Sequence, residues 1–118
     1  MLDKLSKIVG DKQVLTGTDM ARYSSDFAGE FSWQPLAVVR PANTAEVSEV
    51  VKLANATGTA IVPVSGNTGL AAGVIAEGAI MLSLERMNTI REVRAEAKIA
   101  VVEAGVILAS LRDAVEEH

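Results

Sequence analysis

Cysteine is absent from the 118 residues, and the one histidine is the last residue, His118. Without a thiol, this chain holds no disulfide, Cys-ligated zinc, iron–sulfur cluster or thiolate nucleophile. A single terminal imidazole likewise excludes an internal His-based metal site or a Ser-His-Asp triad. Basic side chains are scattered, and eleven Lys and Arg against fifteen Asp and Glu leave a net charge of −4. That balance lacks the footprint of a nucleic-acid or anionic-membrane binder, so any anion bound here must be held largely by backbone amides. No apolar run approaches the length of a membrane span, and the opening MLDKLSKIVGDKQ is too polar for a signal peptide, so a soluble protein of the reducing cytoplasm is expected. Aromatics amount to 3%: Tyr23, Phe27, Phe31 and Trp33.

What is present is aliphatic. Hydrophobic residues make up 49% and charged residues 22%, the balance of a chain that buries a core, and its length suits one domain or part of one. A core of Val, Ala, Leu and Ile suits parallel strands covered by helices. Leu2, Leu5, Ile8 and Val9 fall at helical spacing before Gly10, predicting a short amphipathic helix. Residues 11–34 are irregular and polar, with at most a short strand near Gln13 to Leu15. Leu36 to Val39 reads as a buried strand ended by Arg40 and Pro41. Asn43 and Glu46 then form a capping box, and Val47, Val50, Val51 and Ala54 make an apolar stripe on a helix that Gly58 ends. Ala60 to Val64 is a second buried strand, so strand, helix, strand fits a right-handed βαβ unit with a parallel pair. Ala79 to Leu84 reads as a third strand. Thr89 to Val93 and Ile99 to Glu103 read as an antiparallel hairpin, and Val106 to Glu117 as a helix presenting Leu108, Leu111 and Val115 on one face. The expected fold class is α+β: a βαβ unit with a small parallel sheet and flanking helices over about residues 1–77, then the start of an antiparallel α+β lobe from about residue 78. Helix and hairpin without packing partners predict exposed apolar surface and marginal stability.

The chemistry lies in Pro63-Val64-Ser65-Gly66-Asn67-Thr68-Gly69-Leu70-Ala71-Ala72-Gly73. The run follows a predicted parallel strand, at the carboxyl end where open α/β sheets place ligands. Gly66, Gly69 and Gly73 permit positive φ and close approach, so consecutive N–H groups can converge on an anion, and Ser65, Asn67 and Thr68 add side-chain donors. A P-loop is excluded because no Lys lies between Lys52 and Lys98. A Rossmann fingerprint is excluded by the spacing Gly66-Asn67-Thr68-Gly69 and the lack of a following amphipathic helix. Three glycines in eleven residues suit a plain surface loop as well as an anion nest, and the residues alone leave both open.

The stretch PLAVVRPANTAEVSEVVKLANATGTAIVPVSGNTGLAAG, followed by IMLSLERMNTI and VVEAGVILASL, resembles the amino-terminal part of the FAD-binding domain of the vanillyl-alcohol oxidase / p-cresol methylhydroxylase type. It is most similar there to D-2-hydroxyglutarate and D-lactate dehydrogenases and the glycolate oxidase FAD subunit. The resemblance spans nearly all of residues 23–118. It implies FAD as cofactor, with Pro63, Val64, Ser65, Gly66, Asn67, Thr68 and Gly69 wrapping its pyrophosphate through backbone amides and Leu70 and Gly73 continuing along the flavin side. It further implies a flavin-dependent oxidoreductase that oxidises a small D-2-hydroxy acid by hydride transfer to the flavin. In such proteins the substrate is held by parts that this chain lacks, including a cap domain. No catalytic residue and no metal ligand therefore carries over, and the 118 residues alone are expected to be inactive. A homo-oligomer is compatible with this reading. The alternative is a stand-alone nucleotide-binding or interaction module without turnover.

Ser65 stands where the family pattern has a glycine, and a positive φ there would cost about 1 kcal/mol. Other residues have plainer expectations. Trp33 reads as a lid on the first strand, Tyr23 and Asp26 as solvated or capping residues, Arg40 as a salt-bridge partner, and Arg86-Met87-Asn88 as an exposed turn.

Overall fold

The computed structural model describes residues 1–25, 29, 31–67, 73 and 75–117. Helix α1 (Leu2–Val9) buries Leu5 and Val9 and stops at Gly10, whose φ of 95° suits glycine. The polar stretch that follows is not featureless. It forms a 3-10 turn at Asp11–Gln13, a short strand β1 (Val14–Leu15) and a longer 3-10 segment, Gly17–Tyr23, that buries Met20 and Tyr23. Then come β2 (Ala37–Val39), α2 (Thr44–Thr57), β3 (Ile61–Val64) and β4 (Ile80–Ser83). The chain finishes with β5 (Ile90–Arg94), β6 (Ile99–Val102) and α3 (Leu108–Glu116).

Helix α2 starts where its capping chemistry starts. The Asn43 side chain accepts the Glu46 N–H at 2.9 Å, and the Glu46 carboxylate reaches back to the Ala42 N–H at 2.9 Å, one residue earlier than the Asn43 N–H of a standard capping box. Its stripe is also rotated from the expected one. Val50 and Ala54 are buried and Val47 and Leu53 pack beside them, whereas Val51 is 46% exposed. A turn of 100° per residue takes Val51 off the sheet-facing side and brings Leu53 toward it.

The main sheet has the order β1-β2-β4-β3, with β2 and β3 each parallel to β4 and β1 antiparallel to β2. The two strands of the βαβ unit are thus parallel but not adjacent, because β4 lies between them. Position follows composition: all four β4 residues are buried, and a strand covered on both faces takes the centre. Strand alternation then divides the core. Val39, Ile80 and Leu82 face Leu5, Val50 and Ala54 of the two helices, while Val38 and Met81 face Met20, Tyr23 and Trp33 of the covering segment. Trp33 is accordingly the lid that its neighbours suggested, and Tyr23 is core rather than solvated; Asp26 lies outside the described residues.

Strand β4 completes the first sheet, and the hairpin follows after Leu84. Strands β5 and β6 pair antiparallel as a separate sheet, with a register shift between Ile90 and Glu92. Helix α3 fully buries none of its residues, and Leu108 is 61% exposed. Among the described residues no helix is long and apolar enough to cross a membrane.

Candidate functional site

The carboxyl ends of β2, β3 and β4 open on one side of the sheet, and the Pro63–Gly73 run leaves β3 at that end. In β3 the even-numbered residues bond to β4: Ala60 O accepts the Ile80 N–H and Val64 O the Leu84 N–H, each at 2.9 Å. Pro63 therefore turns its missing donor to the open edge, where proline is tolerated. Continued by one step, the ladder would send the Gly66 N–H to Leu84 O. That carbonyl instead accepts the Met87 N–H at 2.9 Å in the turn after β4, so the pairing stops and the chain departs. Among the described residues, no acceptor takes the backbone N–H of Ser65, Gly66 or Asn67. Three successive donors at a strand end are the raw material of an anion nest.

Among the described residues of the run, the left-handed one is Asn67 rather than a glycine. Asn67 has φ 53°, a conformation Asn tolerates better than other side chains. Its Nδ2 donates to the Ser25 carbonyl at 3.0 Å, and its buried Oδ1 has no partner among the described residues. Ser65 is outside the left-handed region, so the strain that a serine there would carry does not arise. Pro63, Ser65 and Gly66 are exposed and Val64 is buried. Gly73 is exposed, has no positive φ and would meet nothing within 4 Å if given a Cβ. Thr68, Gly69 and Leu70 lie outside the described residues.

Ser65 also lines a crevice of about 190 Å³ with Glu85, Asn88, Gly105, Val106, Ile107 and Ser110. The space suits a sugar or phosphate-sized fragment, below the usual volume of a complete ligand pocket. A roomier groove of about 340 Å³ between the hairpin tip and α3, lined by Val93, Ile99, Ala100 and Val115, is apolar and away from the strand ends. The crevice is built by close packing at Gly105, where a Cβ would stand 1.8 Å from Leu84 O and 2.8 Å from Met87 O. Met87 is buried in this junction, so only Arg86 and Asn88 of the expected turn are exposed.

Glu85 is a residue that sequence reasoning missed. Its Oε1 accepts the Tyr23 hydroxyl and the Ser83 hydroxyl (2.9 Å), and its Oε2 accepts an Arg22 Nη2–H at 2.8 Å. Arg22 also donates to the Tyr23 oxygen and lies over the Tyr23 ring, 4.3 Å from its centre. Burial pushes the Glu85 carboxyl up, but the hydrogen bonds from Tyr23, Arg22 and Ser83 outweigh it and hold the group below the usual carboxylate range. Burial, and then the bond to Glu85, raises the Tyr23 phenol, and Arg22 is raised by its own separate bond to Glu85. The network is ionised and fully donated to, so the carboxylate beside the loop is neutralised by its own neighbours. Among the described residues Arg40, expected in a salt bridge, instead donates to the Lys12 carbonyl at 2.8 Å, and its buried Nε has no partner. No cluster of acidic or histidine side chains fit for a metal occurs among the described residues.

A flavin dinucleotide suits these groups in one respect that can be checked: the N–H groups of Ser65, Gly66 and Asn67 are donors, the kind of partner an anionic pyrophosphate accepts, at the carboxyl end of parallel strands. Comparison with known proteins agrees. The chain matches the family described as "FAD binding domain" over residues 35–118. It is 36% identical over 119 residues to a D-2-hydroxyglutarate dehydrogenase of Stutzerimonas stutzeri, covering 99% of this chain and 26% of that protein. It is 35% identical over 120 residues to a D-lactate dehydrogenase of Archaeoglobus fulgidus, with the same coverage. The structure of p-cresol methylhydroxylase with substrate bound superposes with a TM-score of 0.84 at 27% identity, over 98% of this chain and 24% of that one. The chain thus spans about a quarter of the length of these relatives. From the family match and the shared fold, the chain belongs to the FAD binding domain family, with the fold seen in p-cresol methylhydroxylase.

Proposed function

We propose that the loop from Pro63 to Gly73 holds the FAD pyrophosphate through the backbone N–H groups of Ser65, Gly66 and Asn67, and that the protein oxidises a D-2-hydroxy acid. The observation that carries the first part is the termination of the β3–β4 ladder at Leu84, which leaves the Gly66 N–H without its ladder acceptor, between those of Ser65 and Asn67 on the open-edge side, at the ligand-binding end of a parallel sheet. Backbone amides suit an acidic chain, because they bind a diphosphate without a cationic cluster. Thr68, Gly69, Leu70 and Gly73 complete the cradle in this reading.

The substrate class is supported by the two dehydrogenase relatives, whose named substrates are both D-2-hydroxy acids. When bound, FAD supplies the hydride acceptor. The residues described here bind and orient: the nest fixes the phosphates, Glu85 stays ionised and occupied by its three donors, and no side chain in the crevice is assigned as a base. Titrating the purified protein with FAD, ADP and riboflavin tests this. FAD is expected to bind, ADP to compete with it, and riboflavin, which has no pyrophosphate, to bind at least tenfold more weakly. Equal binding of FAD and riboflavin would remove the pyrophosphate reading. The dehydrogenase reading stands on flavin reduction by D-2-hydroxyglutarate or D-lactate but not by their L-enantiomers.

A further inference from the structure

We propose that residues 22–25 form a strap that positions the loop after β3, with Tyr23 and Glu85 as its positioning residues and Asn67 as the point where it acts. Arg22 and Tyr23 bind Glu85 at the carboxyl end of β4, and two residues later the Ser25 carbonyl holds the Asn67 side chain at the carboxyl end of β3. Four consecutive residues thus tie two adjacent strand ends together.

The strap is stiff between those ties. The Ser24 hydroxyl donates to the Met20 carbonyl at 2.9 Å, the Trp33 N–H donates to Ser24 O at 2.9 Å, and Ser25 forms an antiparallel bridge with Ser32. Tyr23 is buried with Met20 and Trp33 against Val38 and Met81. The tether is needed because Asn67 sits at φ 53°, which a residue bearing a Cβ does not favour unless its surroundings hold it there. The Nδ2 bond to Ser25 is the side-chain contact that does so.

Of the two strap groups on Glu85, Tyr23 carries the load. The Arg22 side chain is 64% exposed and its ion pair is weakened by solvent, whereas the Tyr23 hydroxyl reaches Glu85 from inside the core and shares its oxygen with Ser83. Glu85 and Ser65 line the same crevice, so a shift of the strap is felt at the first residue of the loop as well as at Asn67. The strap follows from contacts within the chain. Only its consequence for cofactor affinity rests on the pyrophosphate reading.

The test compares Tyr23→Phe, Glu85→Gln and Arg22→Gln with the unaltered protein. One readout is hydrogen exchange of the Asn67 side-chain amide by NMR, with the backbone amides of Met81 and Leu82 as a measure of the fold; the other is the FAD dissociation constant. Loss of a hydrogen bond to a charged group corresponds to about a tenfold change in an equilibrium constant. Tyr23→Phe and Glu85→Gln are therefore expected to speed Asn67 exchange about tenfold and weaken FAD about tenfold, while Met81 and Leu82 keep their protection. Arg22→Gln is expected to change either quantity less than about threefold, as a screened surface pair should. The proposal is overturned if Tyr23→Phe leaves Asn67 exchange at its original rate, or if exchange at Asn67 rises only in step with Met81 and Leu82. Should the unaltered protein not bind FAD, the pyrophosphate reading fails while the exchange measurements still decide the strap.

Discussion

Replacing Gly105 by alanine places a methyl carbon 1.8 Å from Leu84 O, 2.7 Å from Leu84 C and 2.8 Å from Met87 O. These are backbone atoms. Reaching even about 3.5 Å contact requires the chain to part by roughly 1.7 Å. The turn is held by the Met87 N–H to Leu84 O and the Gly105 N–H to Met87 O, each at 2.9 Å, so separation breaks one or both. Overpacking costs about 1–3 kcal/mol and each lost bond about 1 kcal/mol, together roughly 2–5 kcal/mol. Against a domain stability of about 5–15 kcal/mol, that is a large share. Thermal unfolding followed by circular dichroism should show a midpoint lowered by on the order of 8 °C or more. Gly73→Ala is the control, since that exposed glycine has no positive φ and nothing within 4 Å of the added carbon; it should stay within about 0.5 kcal/mol of the original. A Gly105→Ala midpoint within about 3 °C of the unaltered protein would refute the close-packing argument.

Three further outcomes follow from the same contacts. Glu85 titrates below its unfolded value, so its contribution is complete above the ordinary carboxylate pKa of about 4.3 and fades as pH falls through the lowered folded value. Denaturant titrations should accordingly show a stability gap between the original protein and Glu85→Gln that is constant near pH 6 and shrinks in acid; a gap that widens in acid would reverse the sign. Ser65→Gly should give no gain in stability and a loss of up to about 1 kcal/mol from added chain entropy, because Ser65 has no positive φ to relieve; a clear gain in melting temperature would contradict this. Asn43→Ala removes the side-chain acceptor of the Glu46 N–H and should cost about 1 kcal/mol, read from equilibrium unfolding.

Local signals were the readable ones. The Asn43 cap, the Gly58 stop and the 95–98 turn between β5 and β6 each involve residues near one another in the chain, so pattern alone located α2 and the hairpin. The loop after β3 was legible for a related reason: its donors and glycines are contiguous. Three things were not. The central place of β4 is a competition among three apolar strands, and short runs such as Leu36 to Val39 and Ala79 to Leu84 look alike until their partners are known. The tilt that exposes Val51 and half-buries Leu53 depends on where the sheet lies. The bond between Tyr23 and Glu85 joins residues 62 apart, across a 3-10 segment whose polar sequence carries no strong periodicity. In that segment only buried Met20 and Tyr23 hint at packing, and nothing local marks Glu85 as their partner.

The central claim concerns three amides, and heteronuclear NMR of the labelled protein during addition of ADP observes them directly. Large, saturable shifts of the Ser65, Gly66 and Asn67 N–H signals are expected, while inorganic phosphate moves the same signals only at much higher concentration. If ADP binds and those three signals stay in place while others move, the diphosphate is held somewhere else and the account of the loop is wrong.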